Sequence, residues 1–225
     1  MLLRVSSLHE RLGVARLYFV CDRRPGGRPL GDVLAAALLG GVDVFQLRDK
    51  TAGDEEILEA AAQARALCAD AGALFIVNDR PDLAAAADAD GVHVGQDDLS
   101  IAEARAVVGA DRIVGRSTHE PAHLAATGTP PTPDYVAVGP VFATPTKPGR
   151  PATGIDYVRH AAAHAPAGVP WFAIGGIDAT NVAAIAAAGA SRIVVVRAIA
   201  EAADPESAAR TLRAGITMEA TVGTP

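Results

Sequence analysis

Short runs rich in valine, isoleucine and aromatic residues alternate along the chain with longer, alanine-rich stretches. The runs at residues 17–21, 42–46, 74–77, 91–94, 112–115, 135–138, 171–174 and 192–196 predict eight β-strands. Between them the pattern predicts helices, among them 54–71, 101–108, 179–188 and 205–213. Gly72, Gly109 and Gly189 fall just past three of these helices, where a left-handed cap calls for glycine, and Asp54 and Asp178 read as N-caps. Strands that are apolar almost throughout are those covered on both faces, the mark of a parallel sheet. The repeated strand–helix alternation predicts an α/β fold, a single-domain (β/α)8 TIM barrel with its core over residues 17–213. An open doubly wound sheet shares the alternation, but no dinucleotide-binding glycine fingerprint follows the first strand. The residues before the first strand read as a short extension, and 214–225 as a frayed tail.

Composition narrows the classes. The 225 residues suit one domain spanning 1–225, and with half of them hydrophobic a core can form without disulfides or structural metal. Cys21 and Cys68 are the only cysteines, and their spacing matches neither a metal site nor a disulfide framework, so they read as reduced core thiols. A net charge of −6 without a basic cluster excludes a nucleic-acid binder. No apolar stretch reaches the roughly 20 residues that cross a bilayer. The N-terminus lacks a leader pattern, which makes the cytoplasm the default location. A homo-oligomer stays open. Basic residues stand singly at the ends of apolar runs, a placement suited to gripping a small anion.

In parallel α/β folds ligands sit at the carboxyl ends of the strands, and the unusual polar residues of this chain fall there repeatedly. After the second strand, alternation puts Gln46, Arg48 and Lys50 toward the barrel mouth and Leu47 toward the helices. Such a set forms either a cradle for an anion and a heterocycle or a solvated charged loop. Asn78 and Asp79 follow the third strand, and Asp97 and Asp98 the fourth. Adjacent strands lie about 4.8 Å apart, so Asp79 and Asp98 can share one divalent cation, with Mg²⁺ the match for hard oxygen ligands. Alternatively, Asp98 caps the next helix. Ser117 after the fifth strand is either a phosphate donor or, with Thr118, a helix cap, and His119 is a supporting or capping residue or a general base. The long loop after the sixth strand offers Thr144, Thr146 and Lys147 to a phosphate. Gly175 and Gly176 after the seventh strand, with Val196 and Arg197 after the eighth, occupy the usual phosphate site of this fold. Two anion sites and a divalent cation at one mouth point to two phosphorylated substrates, or to pyrophosphate as a leaving group.

These motifs together resemble the thiamine phosphate synthase family. The resemblance runs in order through Gln46-Leu47-Arg48-Asp49-Lys50, Val77-Asn78-Asp79-Arg80, the 91–98 segment, Gly115-Arg116-Ser117-Thr118-His119, the 139–147 loop and Ala173-Ile174-Gly175-Gly176-Ile177, covering roughly 17–213. It implies a transferase of thiamine biosynthesis. That enzyme joins 4-amino-2-methyl-5-hydroxymethylpyrimidine diphosphate to 4-methyl-5-(2-hydroxyethyl)thiazole phosphate, giving thiamine phosphate and pyrophosphate. By the resemblance, Gln46, Arg48, Lys50, Asn78 and Lys147 hold the pyrimidine diphosphate, and Asp79 and Asp98 ligate Mg²⁺. Ser117 touches the leaving pyrophosphate, Thr144 and Thr146 bind the thiazole phosphate, and Gly176 with the Val196–Arg197 backbone closes around it. Arg48, Lys50 and Lys147 then stabilise charge on the leaving group in a dissociative displacement. The family often has Ser where this chain has Arg197, whose charge either reaches the phosphate or points away. The rival readings are a thiazole tautomerase-like barrel, a noncatalytic thiazole-phosphate binder and a sugar-phosphate isomerase; each leaves part of the pyrimidine, metal and 144–147 sets unexplained.

Overall fold

A computed structural model describes residues 7–144 and 151–217. Its eight parallel strands close into a barrel in sequence order. They are β1 (Leu17–Cys21), β2 (Val44–Leu47), β3 (Leu74–Asn78), β4 (Gly91–Val94), β5 (Ile113–Thr118), β6 (Tyr135–Val138), β7 (Trp171–Ile174) and β8 (Ile193–Val195), with β8 pairing back onto β1. The outer ring contains α2 (Leu30–Leu39), α3 (Asp54–Ala71), α4 (Pro81–Ala86), α5 (Ile101–Val108), α6 (Pro121–Ala126), α7 (Ile155–His164), α8 (Val182–Ala187), the short α9 (Arg197–Ala200) and α10 (Pro205–Thr217); α1 (Leu8–Val14) precedes β1.

The pleat divides most strands between an outer and an inner apolar cluster, while Val136 and Val138 of β6 pack in a separate outer group with Leu124 and Tyr157. Phe19, Phe45, Phe75, Val92, Val114 and Val195 point outward and pack under the helices. Tyr18, Val44, Leu74, Ile76, Ile113, Tyr135, Phe172 and Val194 point inward, joined by Leu12 of α1. At the amino ends of the strands, carboxylates just before β2, β4 and β6 bind the opening amides of β1, β3 and β5. Asp43 accepts from Leu17 N (3.0 Å), Asp90 from Phe75 N (2.8 Å) and Asp134 from Val114 N (2.7 Å). Arg213 and Arg105 add side-chain bonds to Asp43 and Asp134, each 2.6 Å long. That face is built for stability.

Several sequence expectations need correction. The second strand begins at Val44, because the Val42 amide is spent on Ala37 O at the end of α2. The fifth strand runs on through Thr118, since Arg116, Ser117 and Thr118 continue the pairing with β6 despite their polarity. Asp54 is the first residue of α3 and Gly53 its N-cap. Asp178 binds Thr180 in a tight turn, and α8 starts only after Asn181. All three glycines take positive φ: Gly72 adopts the left-handed cap, Gly109 caps α5 outside the left-handed helical region (φ 95°, ψ 165°), and Gly189 (φ 101°) directly follows the α8 cap residue Ala188. Residues 214–217 belong to α10, with Ile216 buried, so that part of the tail is packed. Cys21 and Cys68 are free and buried, and burial pushes both thiol pKa values up, Cys68 to about 12.

Candidate active site

A cavity of about 270 Å³ opens at the carboxyl ends of the strands. Its walls are the last inward-facing residues of the barrel, among them Gln46, Asn78, His93, Ser117, Ile174 and Val196. A chain of hydrogen bonds crosses the floor. The Gln46 amide donates to Tyr18 OH (2.6 Å), and the Tyr18 and Tyr135 hydroxyls meet at 2.8 Å. His93 then joins Tyr135 OH through Nδ1 and Ser117 Oγ through Nε2, both at 2.9 Å. Burial raises both phenol pKa values, so the two tyrosines stay protonated in a floor rich in hydrogen-bonding groups. Gly115 makes room for this arrangement: a β-carbon there would lie 2.1 Å from the Tyr135 ring.

Ser117 therefore faces the cavity and is not a helix cap. Thr118 points outward to Ala137 O (3.1 Å), and α6 begins after Glu120. His119 donates from Nδ1 to Gly139 O (2.5 Å), which anchors the start of the sixth loop. Leu47 packs with the outer cluster, leaving Arg48 to line the cavity. Among the described residues the Arg48 guanidinium has no hydrogen bond or ion pair.

Lys50, Asp79 and Asp98 meet beside this wall. Lys50 Nζ lies 2.5 Å from Asp79 Oδ2, and the carboxyl groups of Asp79 and Asp98 are within hydrogen-bonding reach of each other. Asp79 holds a left-handed backbone (φ 60°), and its amide donates to His93 O (2.8 Å). Burial raises the Asp79 pKa, Lys50 opposes that shift, and Asp98 reinforces it. Partial burial also acts to raise Asp98, but bonding to Asp79 and to the Gly95 amide (2.7 Å), with the charges of Lys50 and Arg116, brings it below the ordinary range. One shared proton fits this pair. Asp98 does not cap α5, which has its own N-cap in Ser100.

Across the mouth, Thr144, Gly175, Gly176, Val196 and Arg197 line the cavity. The sixth and seventh loops are joined by Val141 N to Ile174 O (2.8 Å) and Phe142 N to Gly175 O (3.0 Å). Gly176 (φ 65°) has no room for a side chain, because a β-carbon would sit 2.8 Å from Phe142 Cβ. Arg197 is exposed at the first position of α9, and its charge contributes to lowering the Asp178 pKa, after hydrogen bonds from Thr180 and Asn181. Thr146 and Lys147 lie outside the described residues.

The strand ends thus bring Gln46, Arg48, Asn78, Ser117, Thr144, Gly176, Val196 and Arg197 around one cavity, with Lys50, Asp79 and Asp98 grouped next to Asn78. The chain matches the family described as thiamine monophosphate synthase over residues 17–199. The chain belongs to that family. A thiamine-phosphate synthase of Saccharopolyspora erythraea is 50% identical over 212 residues, covering 92% of this chain and 95% of the relative. One of Mycolicibacterium smegmatis is 51% identical over 216 residues, covering 92% and 94%. Among solved structures, the thiamine phosphate pyrophosphorylase of Pyrococcus furiosus superposes with a TM-score of 0.81 at 31% identity, covering 93% of this chain and 98% of that one. Within this thiamine monophosphate synthase frame, sequence reasoning assigned no role to Tyr18, His93 or Tyr135. A tyrosine inside a strand reads as an ordinary β-former, and its hydroxyl partner comes from a distant strand.

Proposed function

We propose that the cavity joins the pyrimidine diphosphate to the thiazole phosphate as a thiamine phosphate synthase dependent on Mg²⁺, in the cytoplasm. The observation that carries this reading is the meeting of Lys50, Asp79 and Asp98 next to Asn78 of a cavity with a polar, hydrogen-bonded floor. Hydrogen-bonding groups at Gln46, Asn78 and His93 suit a flat aminopyrimidine, and Arg48, whose guanidinium has no partner among the described residues, suits its diphosphate. Thr144, Gly176 and the Val196–Arg197 corner take the thiazole phosphate opposite, with Thr146 and Lys147 completing the set. What supports Mg²⁺ is the donor chemistry: two partly buried carboxyl groups within reach of each other offer hard oxygens to a small divalent cation.

The protein supplies no nucleophile in this scheme. The thiazole nitrogen lone pair forms the new bond to the pyrimidine methylene. The methylene–oxygen bond breaks, and its electron pair leaves with pyrophosphate. Asp79 and Asp98 would hold Mg²⁺, which when bound would supply positive charge to offset that accumulating on the departing group. Arg48, Lys50 and Lys147 hold the same oxygens electrostatically, and Ser117 donates a hydrogen bond to them. The buried floor holds the pyrimidine in line with the thiazole and excludes water from the reacting carbon.

The test is an assay of purified protein with both substrates, following thiamine phosphate as fluorescent thiochrome, with and without chelator. Product formed only with Mg²⁺ is expected. Folded protein that binds the thiazole phosphate yet makes no product would transfer the reading to a tautomerase-like barrel.

A further inference from the structure

Arg116 occupies an outward position on β5, the neighbour of a strand whose following loop carries Asp98. Its guanidinium reaches across the gap. One nitrogen donates to Leu99 O at 3.1 Å, and the other makes a longer contact with Gln96 O at 3.4 Å. Those two carbonyls bracket the turn that contains Asp97 and Asp98. A second tie comes from the turn itself, where Gln96 Nε2 donates to Ser117 O at 2.5 Å. Inside the turn, Asp98 Oδ2 accepts from Gly95 N at 2.7 Å, and a β-carbon on Gly95 would collide with that oxygen. The Asp98 carboxylate is therefore fixed by its own loop, and the loop is fixed to β5 by Arg116 and Gln96. The charged groups that bear on the guanidinium are Asp97 and Asp98.

We infer that Arg116 is a positioning residue for the divalent-cation site: by spanning both ends of the 96–99 turn it holds Asp98 toward Asp79. This rests on the reading of Asp79 and Asp98 as Mg²⁺ ligands. Its physical basis is separable from charge. A cation near a metal site disfavours a second cation, so on Coulombic grounds alone Arg116 weakens metal binding. The clamp acts in the opposite direction, because a carboxylate already in place loses less freedom when the metal arrives. Outer partners that orient ligands typically contribute about 10- to 100-fold in metal affinity. The orienting effect wins here because the fork holds two backbone carbonyls, which no single ammonium can bridge.

The substitutions Arg116→Lys and Arg116→Met separate the two effects. Mn²⁺ is titrated into metal-free protein, with free Mn²⁺ read from its EPR signal, and a thermal melt checks each fold. Arg116→Lys keeps the charge and loses the fork, and should bind Mn²⁺ about tenfold more weakly than wild type. Arg116→Met loses both and should fall between the two. Turnover should follow, with the Mg²⁺ concentration for half-maximal activity raised and most of the loss recovered at saturating Mg²⁺. Wild-type affinity in Arg116→Lys, or tighter binding in Arg116→Met, would overturn the inference while leaving the metal site standing. Wild-type protein that takes up no Mn²⁺ would remove the metal reading, and this inference with it.

Discussion

Burial and the neighbouring Asp98 carboxyl raise the pKa of Asp79, while the Lys50 ammonium pulls it back. The pair therefore retains a proton at a pH where an isolated aspartate would have lost it. A divalent cation needs both carboxylates ionised, so its binding must expel that proton. The sign follows directly. Below the raised Asp79 pKa the proton competes, and affinity should fall about tenfold for each further pH unit; above it, affinity should level off. Calorimetric Mg²⁺ titrations in buffers of different ionisation heat count the released proton, and zero release at every pH would contradict the shared-proton description. Asp79→Asn should lower turnover at least about a hundredfold, since it removes a ligand where leaving-group charge develops, and a retained melting temperature would assign the loss to chemistry. Asp79 and Asp98 were legible in the sequence because carboxylates at the ends of apolar strands are conspicuous. The left-handed backbone of Asp79 and the loop restraints on Asp98 were not, because those depend on contacts from β4 and β5.

Strand β5 shows how an element can be read correctly yet bounded wrongly, whereas β4 lies where it was expected. The fifth was expected to stop at Gly115 because Arg116-Ser117-Thr118 has the polarity of a loop, but its ladder with β6 continues through Thr118. The mouth of a barrel is polar by function, so a hydrophobicity pattern ends a strand too early where polar residues continue the ladder, as in β5 and, by one residue, in β3. Glycine carries the opposite lesson. Gly115 looks like a strand terminator in the sequence, whereas in the fold it faces inward and gives its space to the Tyr135 ring, whose hydroxyl links Tyr18 to His93. Gly115→Ala should push that ring aside, at a cost of about 1–3 kcal/mol from overpacking. The accompanying disturbance of the floor should raise KM for the pyrimidine diphosphate more than KM for the thiazole phosphate. Steady-state kinetics with each substrate varied in turn, together with a thermal melt, checks both parts. An alanine variant with unchanged stability and unchanged constants would mean that the floor tolerates displacement.

At the scale of the whole barrel, carboxylates divide by end. Eight strands, their parallel order and the functional mouth were predictable from alternation and from where polar residues fell. The amino-terminal face was not: Asp43 fell inside the expected second strand, and Asp90 and Asp134 stood unremarked just ahead of the fourth and sixth. In the fold each reaches the opening amide of the preceding strand, a contact between strand pairs that no local pattern encodes. Asp90 is the cleanest case: it is 4% exposed, and its carboxylate accepts the buried Phe75 amide at 2.8 Å. Removing it leaves that amide unpaired at the base of the sheet, a loss of about 1.5–3 kcal/mol for a hydrogen bond to a charged group. For a domain of this size that corresponds to roughly 3–12 °C in melting temperature. The substituted residue lies at the opposite end of the barrel from Gln46, Asp79 and Asp98, so the mouth should keep its geometry. Asp90→Ala is therefore expected to melt earlier with turnover per folded molecule unchanged at a temperature well below the transition. Asp98→Ala should do the reverse, losing turnover with little change in melting temperature. Measuring both quantities for both variants decides the matter: if Asp90→Ala lost activity while still fully folded, strain at the base would be reaching the mouth, and the two ends would have to be treated as one coupled structure.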